Sequence, residues 1–431
     1  MKLQWHLPGQ WVTIALTGSL IVIAAACSGE REIHPGELTY WRTLTGAAGD
    51  AQDALVERFN AEHPDITVRS EFQGSYSDLS TKLVAAAVAR TGPQVTQLGT
   101  FEIREFARSG VLLDLGPMID GEEGIDTSGW PADLINAGQV DGGTYWLPFN
   151  VAVPVLYYNQ DAFQEAGLDA PPKTWDEFFS SVRAVTKRSG DGTVNRHGLA
   201  LWNITWPLIS MIWSEGGELT NADYSNITLN DPVVVSLLTQ LQALVQEGAA
   251  ILPDKASGGQ RTAFLSGRAA MILDSQDAFS EVFDESHGFT PALAKYPAGA
   301  KGKVYAPGGG GLAMLASTPD AQRANAWSFI RYMLSPESIA YYARESGYCA
   351  FTEVSQNAAG DLLDDPRYAT IHEAVPYLRG DFSVNMSPAV RTAFDEAFQK
   401  ILVEGADVQE TLDAADAKAE RDVQKERSAS R

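Results

Sequence analysis

The sequence predicts an α/β fold of more than one lobe, and three observations carry that expectation. Strand-like and helix-like stretches alternate through the first quarter of the chain, a spacing that suits a mainly parallel sheet with crossover helices. A long apolar run, "YWLPFNVAVPVLYYN" (145–159), is broken by Pro148 and Pro154, which exclude a helix and suit an edge strand or a segment crossing between lobes. Beyond Ala26 there remain about four hundred residues, enough for two or three lobes of ordinary size.

The elements follow in order. "ELTYW" (37–41) alternates as a strand does. The next stretch, "GDAQDALVERFNAEHP", puts Leu55, Val56 and Phe59 on one helical face and stops at Pro64. "ITVRSEF" is a strand, "SDLSTKLVAAAVAR" a helix and "PQVTQLG" a strand again. After the crossing run, "KTWDEFFSSVRAVTKRSG" opens on Thr174 and Glu177 as a capping box and is expected to continue to Gly190. "DPVVVSLLTQLQALVQEG" (231–248) has Asp231 as N-cap, Pro232 in the first turn and Gly248 past the end. "AFLSGRAAMILD" reads as a helix end, a glycine stop and a strand, and "VYAPGGGGLAMLAS" (304–317) as a glycine hinge entering a buried strand. "TPDAQRANAWSFIRYML" and "SPESIAYYARESG" are two helices, each opened by a hydroxyl N-cap and a proline. The final "AERDVQKERSASR" is expected to fray.

Charge and composition exclude several functions. Lys and Arg number 32 against 55 Asp and Glu, a net −23, and that field repels phosphate backbones, so no nucleic acid is expected. Ten tryptophans and fourteen tyrosines offer faces against which polyols and quaternary amines bind, although most aromatics serve a core. No Gly-x-Ser-x-Gly, His-x-x-x-His or Cys-x-x-Cys occurs, so neither a nucleophile elbow nor a metal site is expected. "GAKGKV" (299–304) lacks the first glycine and the final hydroxyl of a phosphate loop and reads as a surface turn. We expect no cofactor and no catalysis; an exported hydrolase with two carboxylates is the remote alternative.

The start of the chain reads as an export signal. Lys2 precedes an apolar run from Trp11 to Ala26, then Cys27. We expect a lipoprotein signal peptide over 1–26, lipid on Cys27 and a tether over 27–36; plain secretion with Cys27 free is the alternative. Ala24 departs from the leucine such signals prefer. With Cys27 committed to lipid, Cys349 in "GYCAF" has no disulfide partner and is expected to be a small apolar filler.

Taken together, "TYW", "ALVERFNAEHPDITV", "PFNVAVPVLYYNQDAFQEAGLDAPPKTWDEF", "FLSGRAAM" and "GGGGLAM…AWSFIRYMLSPES…ESGY" resemble the solute-binding proteins of ABC importers, in the maltose- and glycerol-3-phosphate-binding group. The register is most similar to the glycerol-3-phosphate-binding proteins. That resemblance implies a two-lobed periplasmic-binding-protein-like fold with a ligand cleft between lobes joined by crossing strands. It divides the chain into 37–155 plus 310–347 and 156–309 plus 348–427. It also implies a monomer, a membrane permease as partner, and a small solute: a glycerophosphate or glycerophosphodiester first, a mono- or oligosaccharide as the alternative.

Position by position, the resemblance implies ligand contacts at Tyr76 in "QGSYSDLS", Ser275 in "DSQDAF", Gly309 in the glycine hinge, Tyr348 in "SGYCAF" and Arg391 in "SPAVRTAF". Trp202 and Trp206 in "LALWNITWP" stand where the family places aromatics against its ligand. The acidic contact is Glu102, with Thr100 the competitor in an ungapped register. Ala152 replaces a cleft serine of the family, and Cys349 and Ala350 replace a Leu-Pro. For Tyr348 the competing reading is core packing, and for Arg391 a surface helix charge.

Overall fold

The structure, a computed structural model, describes residues 34–202, 206–221, 226–253, 258–283, 287–380 and 387–429 (backbone only at 426, 427 and 429). The expected signal peptide and Cys27 lie outside the described residues. The strands are β1 (Glu37–Arg42), β2 (Thr67–Phe72), β3 (Val95–Gly99), β4 (Gln139–Val140), β5 (Gly143–Thr144), β6 (Leu147–Ala152), β7 (Pro154–Asn159), β8 (Lys187–Arg188), β9 (Val194–Ala200), β10 (Ala250–Ile251), β11 (Ala269–Ser275), β12 (Pro291–Lys295) and β13 (Gly308–Met314). β4 and β5 pair with each other as a small third sheet, and two main sheets organise the rest. One runs β2-β1-β3-β13-β6 and the other β10-β9-β11-β7-β12, with β8 paired to β9.

The sheets are mixed, where a mainly parallel one was expected. β1 pairs parallel with β2 and β3, but β13 is antiparallel to both β3 and β6. In the other sheet β9 is parallel to β10 and β11, while β7 is antiparallel to β11 and β12. β6 runs in the direction of β1–β3; the reversed strands are β13 in the first sheet and β7, the second half of the apolar run, in the other. These connect sheet to sheet instead of crossing over a helix, so nothing forces parallel entry. Every residue of β6 and of β11 is buried. That is why both read as largely apolar stretches without alternation, with Asn150 and Asp274 buried among them.

Helix boundaries show what local chemistry decides. The helix Gly46–Glu62 buries Leu55, Val56 and Phe59, as their spacing predicts. Asp231 caps Pro232–Gln246 by accepting from the Val233 N–H at 2.8 Å, and Ser335 caps Pro336–Ser346, which ends at Gly347 with φ +77°. Four expectations need correction. Thr174 does cap Trp175–Ala184, but Glu177 accepts from the Lys173 N–H at 2.7 Å, so the box is not reciprocal. That helix stops at Ala184 because Lys187–Arg188 pair with β9 as strand. Thr318 does not cap the helix Asp320–Met333; its hydroxyl donates to the Gln94 carbonyl and Pro319 takes the N-cap place. The C-terminal segment is helical over Val408–Ala429, because Leu412, Ala415, Ala419 and Val423 form a buried stripe.

The apolar run divides at Val153: β6 belongs to the first sheet and β7 to the second. Gln276, fully buried just after β11, clasps this point. Its carboxamide accepts from the Val153 N–H at 2.7 Å and donates to the Val151 carbonyl at 3.3 Å. The Cys349 N–H also donates to the Val151 carbonyl, at 3.1 Å. Cys349 itself is buried and free, and burial pushes its thiol well above the ordinary range. It packs as an inert filler within the apolar core.

Gln276→Leu keeps volume but leaves the Val153 N–H unpaired in a buried place, while the Val151 carbonyl retains Cys349. Urea denaturation should therefore show a loss of about 1–3 kcal/mol, the cost of one orphaned buried donor.

Candidate functional site

The crossing at Val151–Val153 is lined by side chains from both sheets. Tyr76 opens the helix Tyr76–Ala89, whose N-cap Ser75 forms a reciprocal box with Asp78. This fixes the helix start and so the direction of the Tyr76 ring. Its hydroxyl stands 3.0 Å from the Asn150 carboxamide and 3.3 Å from that of Gln97. Gln97 is held in turn by the Thr43 N–H, at 3.0 Å. Burial pushes the Tyr76 phenol up to about 12, against hydrogen bonds from Asn150 and Thr43 that favour the charged form. Tyr76 is therefore a neutral hydroxyl at any physiological pH.

Gly309 and Gly310 lie beside it in β13. Gly309 has φ +82°, and a Cβ there would sit 1.7 Å from the Asn150 carbonyl oxygen. A Cβ on Gly310 would meet the Tyr76 hydroxyl at 2.6 Å. The expected glycine hinge is thus itself strand, in register with Asn150, Val151 and Ala152 of β6.

Ser275 ends β11, and its hydroxyl accepts from the Asp277 N–H at 3.4 Å. Tyr348 follows the Gly347 stop, is 3% exposed and stacks on Tyr342 at 5.4 Å between ring centres. Its hydroxyl donates to the Asp277 carboxylate at 3.4 Å. Tyr348 thus packs in a core, as its competing reading held, while its polar tip meets a charged group. Burial first, then the charge of Asp277, raises its phenol well above the ordinary value.

Glu102 caps the helix Ile103–Arg108 without a side-chain cap bond. Its carboxylate lies 3.7 Å from the Arg391 guanidinium, a loose pair. Its other oxygen, Oε2, is buried and makes no hydrogen bond. Burial raises the Glu102 carboxyl above its usual range, with Arg391 opposing. Thr100, the competitor, is 4% exposed. Glu102 and Tyr76 flank one point, because a Cβ on Gly99 would lie 3.5 Å from the Tyr76 ring and 3.6 Å from Glu102 Oε2.

Arg391 lies on the helix Pro388–Leu402, whose Phe394 and Phe398 are buried in the core of the second sheet. It stands beside that stripe, half-buried, with its guanidinium 5.0 Å over the Phe101 ring. Trp206 is buried; its indole N–H donates to the Pro307 carbonyl, and its ring fills the space beside Gly308. Trp202 stays half-exposed, edge-on to Trp206 at 5.8 Å. Two linked groups result: Tyr76, Gln97 and Asn150 beside Gly309 and Gly310, and Ser275 with Asp277 and Tyr348. The Glu102–Arg391 pair joins the first through Gly99.

Several participants escaped the sequence reading. Asn150 stood in plain view within "PFNVAVP". The Arg261–Asp274–Asp277 cluster did not, since only folding brings Arg261 to within 2.9 Å of Asp274 and 2.5 Å of Asp277.

The chain as a whole has known relatives. Residues 45–340 match the family of bacterial extracellular solute-binding proteins. The chain belongs to that family. A relative from Brucella suis, the sn-glycerol-3-phosphate-binding periplasmic protein UgpB, is 25% identical over 94% of this chain and 96% of its own length. Among solved structures, UgpB from Mycobacterium tuberculosis in complex with glycerophosphocholine aligns with TM-score 0.82 at 24% identity, covering 91% of this chain and 99% of that one. The GacH receptor of Streptomyces glaucescens, solved unliganded and with acarbose, aligns with TM-score 0.77 at 21% identity over 90% and 98% of the two chains. At these identities the structural likenesses establish the two-lobed fold.

The raised carboxyl of Glu102 has a testable sign. Its folded-state value lies above the unfolded one, so its favourable contribution is present at low pH and is lost as pH rises through the raised value. Ligand-free Glu102→Gln should therefore gain stability relative to the parent as pH rises above the ordinary carboxyl value of about 4. Paired urea titrations check this; a gap that closes with rising pH would mean that Arg391 outweighs burial.

Proposed function

We propose that this chain is the substrate-binding component of an ABC importer. It captures a glycerophosphate or glycerophosphodiester in the cleft lined by Tyr76, Glu102, Trp202, Trp206, Ser275, Gly309, Tyr348 and Arg391, and hands it to membrane permease subunits without turnover. The observation that carries the ligand choice is Arg391. The apolar stripe of its helix sets this guanidinium at the cleft edge, where it is paired only loosely with one carboxylate and a third of its side chain is exposed. In a chain of net −23, that is a place for an anion, and a guanidinium can make two charge-assisted bonds to one phosphate. The names of the UgpB relatives agree with this choice.

A specific observation favours the second reading, a neutral sugar. Glu102 already balances Arg391 and keeps a buried acceptor, Oε2, without a partner. A sugar hydroxyl would satisfy it, and the acarbose complex of GacH is a neighbour in fold. We read the sheets as the cores of two lobes, close to 37–155 plus 310–347 and 156–309 plus 348–427. The protein works as a lipid-anchored monomer outside the cell membrane.

Calorimetry on Arg391 variants tests the ligand. Arg391→Ala should weaken glycerol 3-phosphate or its diesters by at least about a hundredfold, some 2.7 kcal/mol, and Arg391→Lys should recover only part. An unchanged affinity in Arg391→Ala would transfer the assignment to the sugar. The anchor is tested separately. Cys27→Ser should move the protein from the membrane to the soluble fraction, because removing the modified cysteine removes every acyl chain it carries. An intact mass showing bare Cys27 in the mature protein would rule the anchor out.

A further inference from the structure

Beside the Tyr348 hydroxyl lies a charge arrangement that the ligand reading does not use. Arg261 is surrounded by three carboxylates: Asp274 through two hydrogen bonds of 3.0 and 2.9 Å, Asp277 at 2.5 Å and Glu281 at 3.7 Å. One guanidinium among three carboxylates leaves a surplus of two negative charges. Asp274 is fully buried and internally satisfied, since its oxygens also accept from the Ser275 N–H at 2.7 Å and from Gln260 at 3.0 Å. Asp277 differs. Arg261 holds its Oδ1, while its Oδ2 faces the Tyr348 hydroxyl and the carboxylate keeps 27% of its surface exposed.

We propose that Asp277 is a specificity-determining residue of this cleft: a fixed negative charge that keeps anionic groups away from the corner formed by Ser275 and Tyr348 and admits there only a hydroxyl-bearing or otherwise non-anionic part of the ligand. The inference rests on the reading that ligand is held at these residues. It follows from where the charge is fixed. The 3-10 turn Gln276–Ala278 and the Ser275 hydroxyl on the Asp277 N–H set the backbone, and Arg261 holds the side chain from behind. Because the Tyr348 O–H donates to Asp277, its oxygen presents lone pairs outward, which suits a ligand hydroxyl as donor and opposes a phosphate oxygen. Burial raises both the Tyr76 and Tyr348 phenols, and the charge of Asp277 adds to that rise at each. An asymmetric ligand is then oriented, with its anion toward Arg391 and its hydroxyls toward Asp277. A second negative charge is disfavoured.

The test compares matched ligand pairs that differ in negative charge, by calorimetry at about pH 8 on the full mature chain. One pair is sn-glycerol 3-phosphate and its methyl phosphodiester; the other is maltose and maltose 1-phosphate. Asp277→Asn keeps size and hydrogen-bonding reach, and Arg261 retains Asp274 and Glu281. It should shift the affinity ratio toward the more anionic member by about fivefold or more, the scale of one nearby charge at intermediate dielectric. Asp277→Ser should shift it the same way, which guards against a folding defect peculiar to one variant. Glu281→Gln removes a charge that reaches Arg261 through its other terminal nitrogen and should shift the ratio less than about twofold. If the parent binds only the sugar pair, the glycerophosphate reading fails while the same ratio test on that pair still decides the role of Asp277. A ratio unmoved by Asp277→Asn, or moved equally by Glu281→Gln, overturns the proposal.

Discussion

The structure depends on one close approach of backbone to its surroundings, along Gly308–Gly311. At each of these four positions another group occupies the place a Cβ would take: the Trp206 ring at Gly308, the Asn150 carbonyl at Gly309, the Leu98 carbonyl and the Tyr76 hydroxyl at Gly310, and the Leu147 carbonyl with the Trp146 ring at Gly311. The four glycines forgo side-chain packing and raise the entropy of the unfolded chain. In exchange β13 pairs with β3 on one side and β6 on the other while two tryptophans and a tyrosine close over it. Without that contact neither the Tyr76 hydroxyl nor the Trp206 ring would have its seat.

From that strand the rest of the crossing follows. β6 pairs with β13, so Val151 and Val153 are fixed where Gln276 and the Cys349 N–H reach them. These contacts are buried, two of them at 2.7 and 3.1 Å, and they tie the connection itself. The polar contacts that join the two sheets' side chains at the cleft are different in kind. Tyr348 to Asp277 measures 3.4 Å and Arg391 to Glu102 3.7 Å, both long for their types. On the proposed reading, a firm connection with looser side-chain contacts beyond it suits a hinged closure, since the parts that move must be those of low local stability.

Much of this was legible in the sequence, for physical reasons that can be named. Pro148 and Pro154 in an apolar run admitted only extended chain, and the run proved to be β6 and β7. Asp231-Pro232 and Ser335-Pro336 marked true helix starts. Thr318-Pro319 looked identical but failed, because a carbonyl distant in sequence, that of Gln94 just before β3, claimed the hydroxyl. The C-terminal helix was missed because polar residues dominate its sequence, and the narrow stripe through Leu412 and Val423 acquires meaning only against a partner helix. The candidate ligand residues came by resemblance, whereas Asp277 was silent. Its partners stand 16 residues before it and 71 after, and no local pattern encodes such a meeting.

The Glu102–Arg391 pair also bears on how one cleft could discriminate solutes. A ligand shifts a conformational equilibrium only by what it gains in one state over the other. The pair is loose, and burial disfavours the Glu102 anion. A phosphate offering two shorter bonds could therefore take over the guanidinium at small loss, releasing Glu102 to accept a ligand hydroxyl at its unpartnered oxygen. Both gains would arise in one event, from groups carried by different sheets. A neutral sugar would leave the pair standing and satisfy only Oε2. On the proposed reading the same residues would hold either solute class, but only an anion would convert the exchange of partners into a force drawing the two sides together.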